Sequence, residues 1–252
     1  MSTVEWPDLA AWYDEKMGET GDFWHRTLLD PALFAQLGEV AGLATLDLAC
    51  GNGHNTRRLA RLGAHVTGVD FSAGVIARNQ AREAHEPLGI AYHAADAARL
   101  DMLADGAFDL VICQMALMDI PDAAGAIGEA ARVLRPGGRF VALFAHPCFD
   151  PPDGSTWLWE RGGPSGTIWR KVWRYREPYV GRIYFRVGGE VVYVASQHRP
   201  LAWYVNTLAA AGLVITTLDE PKPSDEFIAG HDYGKWMTHI PLHCLIEARK
   251  VS

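Results

Sequence analysis

The sequence predicts an α/β fold in which helices wrap a parallel sheet. Short apolar runs alternate with amphipathic segments between residues 45 and 145, and the connections between them are short. This alternation is typical of parallel sheets wrapped by helices. A glycine-containing turn follows the first apolar run, at the end of the strand where such sheets bind ligands. A chain of 252 residues, 49% hydrophobic and 21% charged, can bury a sizeable core of this kind.

The first predicted strand, residues 45–49, leads into the turn around which the chain is organised. Gly51 and Gly53 lack a Cβ atom, so they permit a tight turn and let a ligand approach the backbone closely. A helix is predicted over 54–62, and its first N–H groups suit a carboxylate or a phosphate. Thr56 stands where a dinucleotide-binding turn carries its third glycine. The turn therefore predicts a ligand site and disfavours a nicotinamide dinucleotide.

The elements up to residue 145 continue the alternation. The further predictions are strands over 65–69, 89–94, 108–114 and 139–145, and helices over 73–84 and 123–134. Because ligands bind beyond the carboxyl ends of parallel strands, the residues that end the strands form one candidate site. These residues are Ala49-Cys50, Asp70, Ala95-Asp96, Gln114-Met115 and Ala145-His146. Asp70 closes the second strand, where a carboxylate can accept hydrogen bonds from a ribose diol.

Four segments make up the predicted organisation of the chain. They are cover helices at 1–44, the ligand-binding core at 45–146, a lid insertion at 147–199 and the remainder of the core at 200–252. The lid is rich in prolines, tryptophans and arginines, and it contains an alternating run around Gly188-Gly189 that predicts a hairpin. Its aromatic and arginine side chains either clamp a planar aromatic or anionic acceptor or cover one another.

The last segment returns to the α/β pattern. Pro200 opens a predicted helix that Gly212 ends, and strands are predicted over 214–218 and 242–248. The proline-rich residues between 220 and 236 predict a long loop.

Composition and charge exclude several classes of protein. The net charge of -7 argues against general nucleic-acid binding, and no apolar run approaches the roughly 20 residues that cross a bilayer. The N-terminus lacks the basic and apolar regions of a signal peptide. The four cysteines are scattered, with no C-x-x-C pair, and no His/Cys spacing predicts a metal site. We expect a reduced, cytoplasmic protein without a metal, a membrane partner or a nucleic-acid partner.

Five motifs, in order, resemble those of the class I S-adenosylmethionine-dependent methyltransferases. They are LDLACGNG at 46–53, VTGVDFS at 66–72, ADA at 95–97, FDLV at 108–111 and ARVLRPGG at 131–138. The resemblance covers residues 40–145 strongly and 200–250 more weakly. It implies a Rossmann-like, doubly wound, seven-stranded sheet whose last strand runs antiparallel, with S-adenosylmethionine as the cofactor.

The resemblance also implies which residues bind the cofactor. Its methionine end is held by the turn after the first strand, through Asp47, Ala49, Cys50, Gly51 and Gly53. Asp70 binds both ribose hydroxyls, and Phe71 lies beside the adenine. Asp96 and the backbone of Ala97 contact the adenine edge. The sulfonium is flanked by Gln114 and Met115, and the N-terminal helices close over the cofactor through Tyr13 and His25.

The methyl acceptor is less defined by the sequence. Methyl transfer needs a base only if the acceptor loses a proton early, and the candidates are His146, His198 and Tyr204. Gln114-Met115-Ala116-Leu117 stands where enzymes that methylate nucleobase amino groups carry an Asn/Asp-Pro-Pro-aromatic motif. We therefore expect a small-molecule acceptor, methylated at O, N or C. The alternatives are a non-catalytic S-adenosylmethionine-binding module with a partner-recruiting lid, and a nicotinamide oxidoreductase.

Overall fold

The computed structural model describes residues 4–159, 168–231 and 234–251. Its strands are β1 Ala44–Leu48, β2 His65–Asp70, β3 Ala91–Ala94, β4 Phe108–Gln114, β5 Leu134–Ala145, β6 Ser155–Trp159, β7 Ile168–Val172, β8 Tyr179–Val187, β9 Glu190–His198, β10 Leu213–Asp219 and β11 His243–Lys250. Its α-helices are α1 Ala10–Met17, α2 Asp30–Leu37, α3 His54–Arg61, α4 Ala73–His85, α5 Ala123–Val133, α6 Leu201–Ala210, α7 Asp225–Gly230 and α8 Gly234–Met237.

A seven-stranded sheet forms the centre of the described structure. Its strand order is β10-β11-β5-β4-β1-β2-β3. The pairs from β5 to β3 are parallel, whereas β11 is antiparallel to both of its neighbours. The order reverses beside β1, so β1 and β4 border the crevice where such sheets bind ligands. The predicted fold class, a mostly parallel Rossmann-like sheet, is confirmed.

The core lies on both faces of this sheet. Along β4, Val111 and Cys113 pack into one hydrophobic cluster with residues of α5 and α6, whereas Leu110 and Ile112 pack into the other with residues of α2 and α3. This alternation follows from the two-residue repeat of a strand. Because both faces are covered, β4 is apolar at four consecutive positions, from Leu110 to Cys113.

Most predicted elements are present, with end positions shifted by a few residues. One larger difference is β5, which begins at Leu134 because helix α5 ends at Val133 and the backbone of Leu134 is already extended. The predicted loop over 220–236 is wrong in part, since it contains α7 and α8. Ser224 caps α7 by accepting a hydrogen bond from the Phe227 N–H at 3.1 Å.

The described part of the lid segment contains two antiparallel strand pairs, β6–β7 and β8–β9, and residues 160–167 between β6 and β7 lie outside the described structure. Strands β8 and β9 form the hairpin predicted around Gly188-Gly189. This hairpin packs on the N-terminal residues: the Val4 N–H donates to the Tyr193 carbonyl at 2.9 Å, and the Phe185 ring lies 5.5 Å from Trp6. None of the described helices is long and apolar enough to cross a membrane.

Candidate active site

A cavity of about 370 Å³ opens at the carboxyl ends of β1, β2, β3 and β4, within the range of about 300–1,000 Å³ typical of ligand sites. Its walls come from four parts of the chain. The N-terminal part supplies Glu5, Trp6, Ala10 and Tyr13, and the first half of the core supplies Ala49, Gly51, Val69, Asp70, Phe71, Ser72, Val75, Ala95, Asp96 and Ala97. The end of β4 and the segment after it supply Gln114, Met115, Ala116, Asp119, Ile120 and Pro121, and strand β9 supplies Val194, Ala195 and Gln197.

The turn after β1 forms one wall because its backbone takes left-handed conformations. Ala49, Gly51 and Gly53 have φ angles of 59°, 54° and 75°. A Cβ atom at Gly51 would lie 3.1 Å from Cε1 of Tyr13, so the glycine lets Tyr13 approach the turn. Ala49 carries a side chain in a conformation that favours glycine, at a cost of roughly 1–2 kcal/mol. Such local strain is typical of a functional turn.

Asp70 joins this turn to the end of β2. Its Oδ2 accepts a hydrogen bond from the Gly51 N–H at 3.0 Å, and its Oδ1 accepts one from the Ser72 N–H at 2.9 Å. Burial raises the pKa of this carboxyl, and the two backbone hydrogen bonds oppose the shift. A carboxylate has about four lone-pair sites, so both oxygens keep acceptor capacity toward the cavity.

The last residue of β4, Gln114, lines the cavity, and its polar side chain is held by hydrogen bonds. The Gln114 amide donates to Oδ1 of Asp30 at 2.9 Å, and its carbonyl oxygen accepts a hydrogen bond from Asn55. Met115 follows with a φ of 51°, and its N–H donates to the Leu143 carbonyl at 2.6 Å. The side chain of Gln114 is therefore held by α2 and α3 while it borders the cavity.

Nine of the predicted cofactor-binding residues line this cavity. They are Tyr13, Ala49, Gly51, Asp70, Phe71, Asp96, Ala97, Gln114 and Met115. Phe71 is 54% exposed, so its ring forms part of the rim. Asp96 bonds the Ala98 N–H through Oδ1 at 2.9 Å, which leaves its other oxygen available.

Four predicted cofactor-binding residues do not line the cavity. Asp47 lies beneath the turn, where it accepts a hydrogen bond from the Thr56 hydroxyl at 2.6 Å, and Cys50 is buried on the side of the turn that faces Gly68. A Cβ atom at Gly53 would lie 2.8 Å from the Tyr92 hydroxyl, behind the turn. The His25 ring bonds Asp22 at 2.8 Å. In this structure these residues support the turn or the N-terminal helices.

The three catalytic candidates are not among the residues that line the cavity. The Nε2 atom of His146 donates to Glu220 at 2.9 Å while its Nδ1 accepts from the Cys148 N–H, and His198 donates to the Tyr175 carbonyl at 2.6 Å. The two histidines are each 2% exposed. Tyr204 is packed 4.6 Å from the Phe144 ring, and burial raises its pKa to about 12.

Of the two alternatives for the lid, the described contacts favour the one in which its aromatic and arginine side chains cover one another. The arginines of the lid lie over aromatic rings of the lid itself: Arg170 is 4.9 Å from the Trp157 ring and Arg174 is 3.6 Å from the Tyr179 ring. The aromatic rings that line the cavity are those of Trp6, Tyr13 and Phe71. The lid contributes Val194, Ala195 and Gln197 of β9 to the cavity.

Asp119 is the main cavity residue that the sequence interpretation missed. It lies four residues beyond Met115, in a turn where its N–H donates to the Ala116 carbonyl at 2.7 Å. Burial raises the pKa of its carboxyl to about 7, although a hydrogen bond from Ser196 and the charge of Arg199 oppose the shift. Nothing in its immediate sequence distinguishes it from an exposed loop aspartate, because its environment comes from residues about 80 positions later.

Comparisons with known proteins agree with this geometry. The family described as "Methyltransferase domain" matches residues 46–142. The crystal structure of an S-adenosylmethionine-dependent methyltransferase from Mesorhizobium loti is 30% identical, with a TM-score of 0.73 over 87% of this chain and 96% of that chain.

Two curated relatives match over shorter stretches. A demethylmenaquinone methyltransferase from Beutenbergia cavernae is 40% identical over 51% of this chain and 50% of its own length. A ubiquinone biosynthesis O-methyltransferase from Aromatoleum aromaticum is 34% identical over 40% of this chain and 43% of its own length. The chain thus spans about half the length of the curated relatives it matches. From the extensive match to the M. loti structure and the family match over the core, we conclude that the chain belongs to the S-adenosylmethionine-dependent methyltransferases.

Proposed function

We propose that this protein transfers a methyl group from S-adenosylmethionine to a small-molecule acceptor. The observation that carries the proposal is Asp70, which lines the cavity at the end of β2 with acceptor capacity left on both carboxylate oxygens. A ribose diol offers two donors for these oxygens. Bound S-adenosylmethionine supplies an electrophilic methyl group on a positively charged sulfur, and the protein supplies position and a dry site.

The charges of the cavity support this cofactor. Its charged lining residues are Glu5, Asp70, Asp96 and Asp119, and none of the described lining residues is Lys, Arg or His. A cavity with negative walls favours a cation over an anion. The left-handed turn at Ala49 and Gly51 would hold the methionine end, and Asp96 with Ala97 would contact the adenine.

The acidic residues of the cavity also affect which methyl acceptor can bind. The anionic acceptor considered from the sequence is disfavoured, because no cation among the described lining residues would offset its charge. The curated relatives are named for demethylmenaquinone methylation and for an O-methylation in ubiquinone biosynthesis. These names favour a quinone-type small molecule as the acceptor of this chain as well.

Substitution of Asp70 tests the proposal. We expect wild-type protein to bind S-adenosylhomocysteine in calorimetry and Asp70→Asn to bind it at least tenfold more weakly, because the amide keeps only one acceptor oxygen. Asp101→Asn, an exposed aspartate outside this cavity, is the matched control and should bind like the wild type.

Thermal unfolding of each variant separates lost affinity from lost folding. Wild-type affinity in a folded Asp70→Asn protein would contradict the assigned site. Release of labelled S-adenosylhomocysteine in the presence of an acceptor distinguishes an enzyme from a non-catalytic binding module.

A further inference from the structure

Asp119 has an unusual position at the wall of the cavity. The Asp119 and Ile120 N–H groups both donate to the Ala116 carbonyl, at 2.7 and 3.1 Å, and Asp119 is one of the residues that line the cavity. Its Oδ1 is buried and has no hydrogen-bond partner within the described residues. Because a buried acceptor without a partner destabilises the fold, such an atom on a residue that lines a cavity points to a ligand that supplies the missing donor.

The turn that carries Asp119 is held firmly in place. The buried Arg199 guanidinium donates to the Leu117 carbonyl at 3.2 Å and to the Ile120 and Pro121 carbonyls at 2.8 Å each. The Gln197 N–H adds a bond to the Met118 carbonyl at 2.6 Å. Because these donors are used by backbone carbonyls, Arg199 fixes the turn and does not donate to Oδ1 of Asp119.

The surroundings of Asp119 keep its carboxyl near the balance between its two protonation states. Burial raises its pKa to about 7, against a hydrogen bond from Ser196 and the charge of Arg199. The other titratable groups that interact with it are Tyr13, Cys113 and Tyr204, and burial raises the pKa of each, which leaves them neutral at pH 7. A general base works best when its pKa lies near the operating pH.

We infer that Asp119 is the catalytic residue that accepts the proton of the methyl acceptor, and that this acceptor is an uncharged molecule with a reacting hydroxyl group. The inference rests on the proposed function and narrows its acceptor class. A bond forms between the acceptor oxygen and the methyl carbon, the carbon–sulfur bond breaks, and its electron pair stays on the sulfur. The hydroxyl proton passes to the Asp119 carboxylate, which later releases it to water.

Ternary binding tests the contact between Asp119 and a hydroxyl group without requiring turnover. The probes are 1-naphthol and 1-methoxynaphthalene, titrated by calorimetry into the complex with S-adenosylhomocysteine. We expect wild-type protein to prefer 1-naphthol about tenfold at pH 8, when the carboxylate is ionised, and less than threefold at pH 5.5. In Asp119→Asn the preference should be the same at both pH values.

Two further variants sharpen this experiment. Asp122→Asn removes a carboxylate three residues away, where Asp122 caps α5 outside the cavity, and Asn caps helices equally well; it should behave like the wild type. Ser196→Ala removes the hydrogen bond that favours the ionised form, so the midpoint of the pH-dependent preference should move to higher pH. A merely structural role for Asp119 would not produce these shifts.

The rate of methylation provides a second test of the role of Asp119. With saturating S-adenosylmethionine, Asp119→Asn should lower kcat for methylation of 1-naphthol about 100-fold while its affinity for S-adenosylhomocysteine stays within twofold of the wild type. The inference is overturned by a pH-independent preference in the wild type, by wild-type behaviour of Asp119→Asn, or by failure of 1-naphthol to bind or react. Absence of S-adenosylhomocysteine binding to folded wild-type protein would instead refute the proposed function itself.

Discussion

Three aspartates at or near the cavity have different roles because their surroundings differ. Asp70 uses both carboxylate oxygens to hold backbone N–H groups while bordering the cavity. Asp47 lies below the turn after β1 and accepts the Thr56 hydroxyl. Asp119 leaves one oxygen without a partner in the described structure. The sequence presents all three as acidic residues near strand ends, and only the packed structure distinguishes them.

The buried carboxyl of Asp47 leads to a prediction about stability and pH. Burial raises its pKa from 3.8 to about 7, and the charge of Asp70 adds to the shift. Between pH 4 and 7 the folded state therefore holds a proton that the unfolded chain has released, so this group lowers the free energy of unfolding as the pH rises. Relative to the wild type, Asp47→Asn should gain about 2 kcal/mol of stability between pH 5 and pH 8.

Urea unfolding at the two pH values measures this effect. The comparison between proteins cancels the contribution of Asp119, whose pKa is also raised. An exposed substitution, Asp101→Asn, should leave the pH dependence of the wild type unchanged. If Asp47→Asn follows the wild type between pH 5 and pH 8, Asp47 is not protonated in the folded protein.

At the scale of elements, the sequence predicts the sheet well because its signal is local. The apolar run of β4, the Ser72 cap of α4 and the Gly188-Gly189 turn each determine structure within a few residues. The loop predicted over 220–236 is wrong in part for a complementary reason. Two short helices can form there between prolines, and the packing of Phe227 of α7 against Phe23 and Trp24 is not visible in the local sequence.

The residues of the candidate site also differ in whether the local sequence predicts them. Residues that end parallel strands, such as Asp70 and Gln114, are predictable because the carboxyl ends of these strands meet at one edge. The residues that cover the site are not predictable in this way, because they depend on which hairpin packs at that edge of the sheet. His146 and His198 also lie near strand ends, yet their side chains turn into hydrogen bonds with Glu220 and the Tyr175 carbonyl.

The hairpin β8–β9 is expected to control how long the cofactor stays bound. The Phe185 ring lies 5.5 Å from the Trp6 ring and 5.3 Å from the Trp12 ring, while the neighbouring Tyr184 points outward and is 67% exposed. Aromatic pairs contribute about 0.5–1.5 kcal/mol each. Phe185→Ala should therefore speed dissociation of S-adenosylhomocysteine about tenfold, and Tyr184→Ala should not change it.

Stopped-flow displacement of S-adenosylhomocysteine provides the dissociation rate for both variants. The two substitutions remove aromatic rings from adjacent positions on opposite faces of the same strand, so a general loss of hairpin stability would affect both. Equal dissociation rates for Phe185→Ala and the wild type would show that the hairpin does not retain the ligand.

At the scale of the whole molecule, the cavity joins parts of the chain that are distant in sequence. Its walls include Trp6, Asp70, Asp119 and Gln197, so no single segment encloses a ligand. The hydrogen bond from Val4 to Tyr193 and that from Gln197 to Met118 connect the N-terminal part, the hairpin and the core. A ligand that contacts all four walls should therefore stabilise the packing of the N-terminal part and the hairpin on the core, as well as the side chains that it touches.

Hydrogen exchange with and without S-adenosylhomocysteine can measure whether the ligand stabilises all four walls together. At 100 times its Kd, S-adenosylhomocysteine should add about 2.7 kcal/mol to the free energy of unfolding, which raises the Tm of a chain of this size by about 6 °C. Protection should increase in α1 and in β8–β9 as well as in the turn after β1. The edge strand β10, which does not border the cavity, serves as the internal control and should gain only the protection that global stabilisation gives. If the added protection is confined to residues 49–97, the N-terminal segment and the hairpin move independently of the bound ligand, and the four walls do not act as one enclosure.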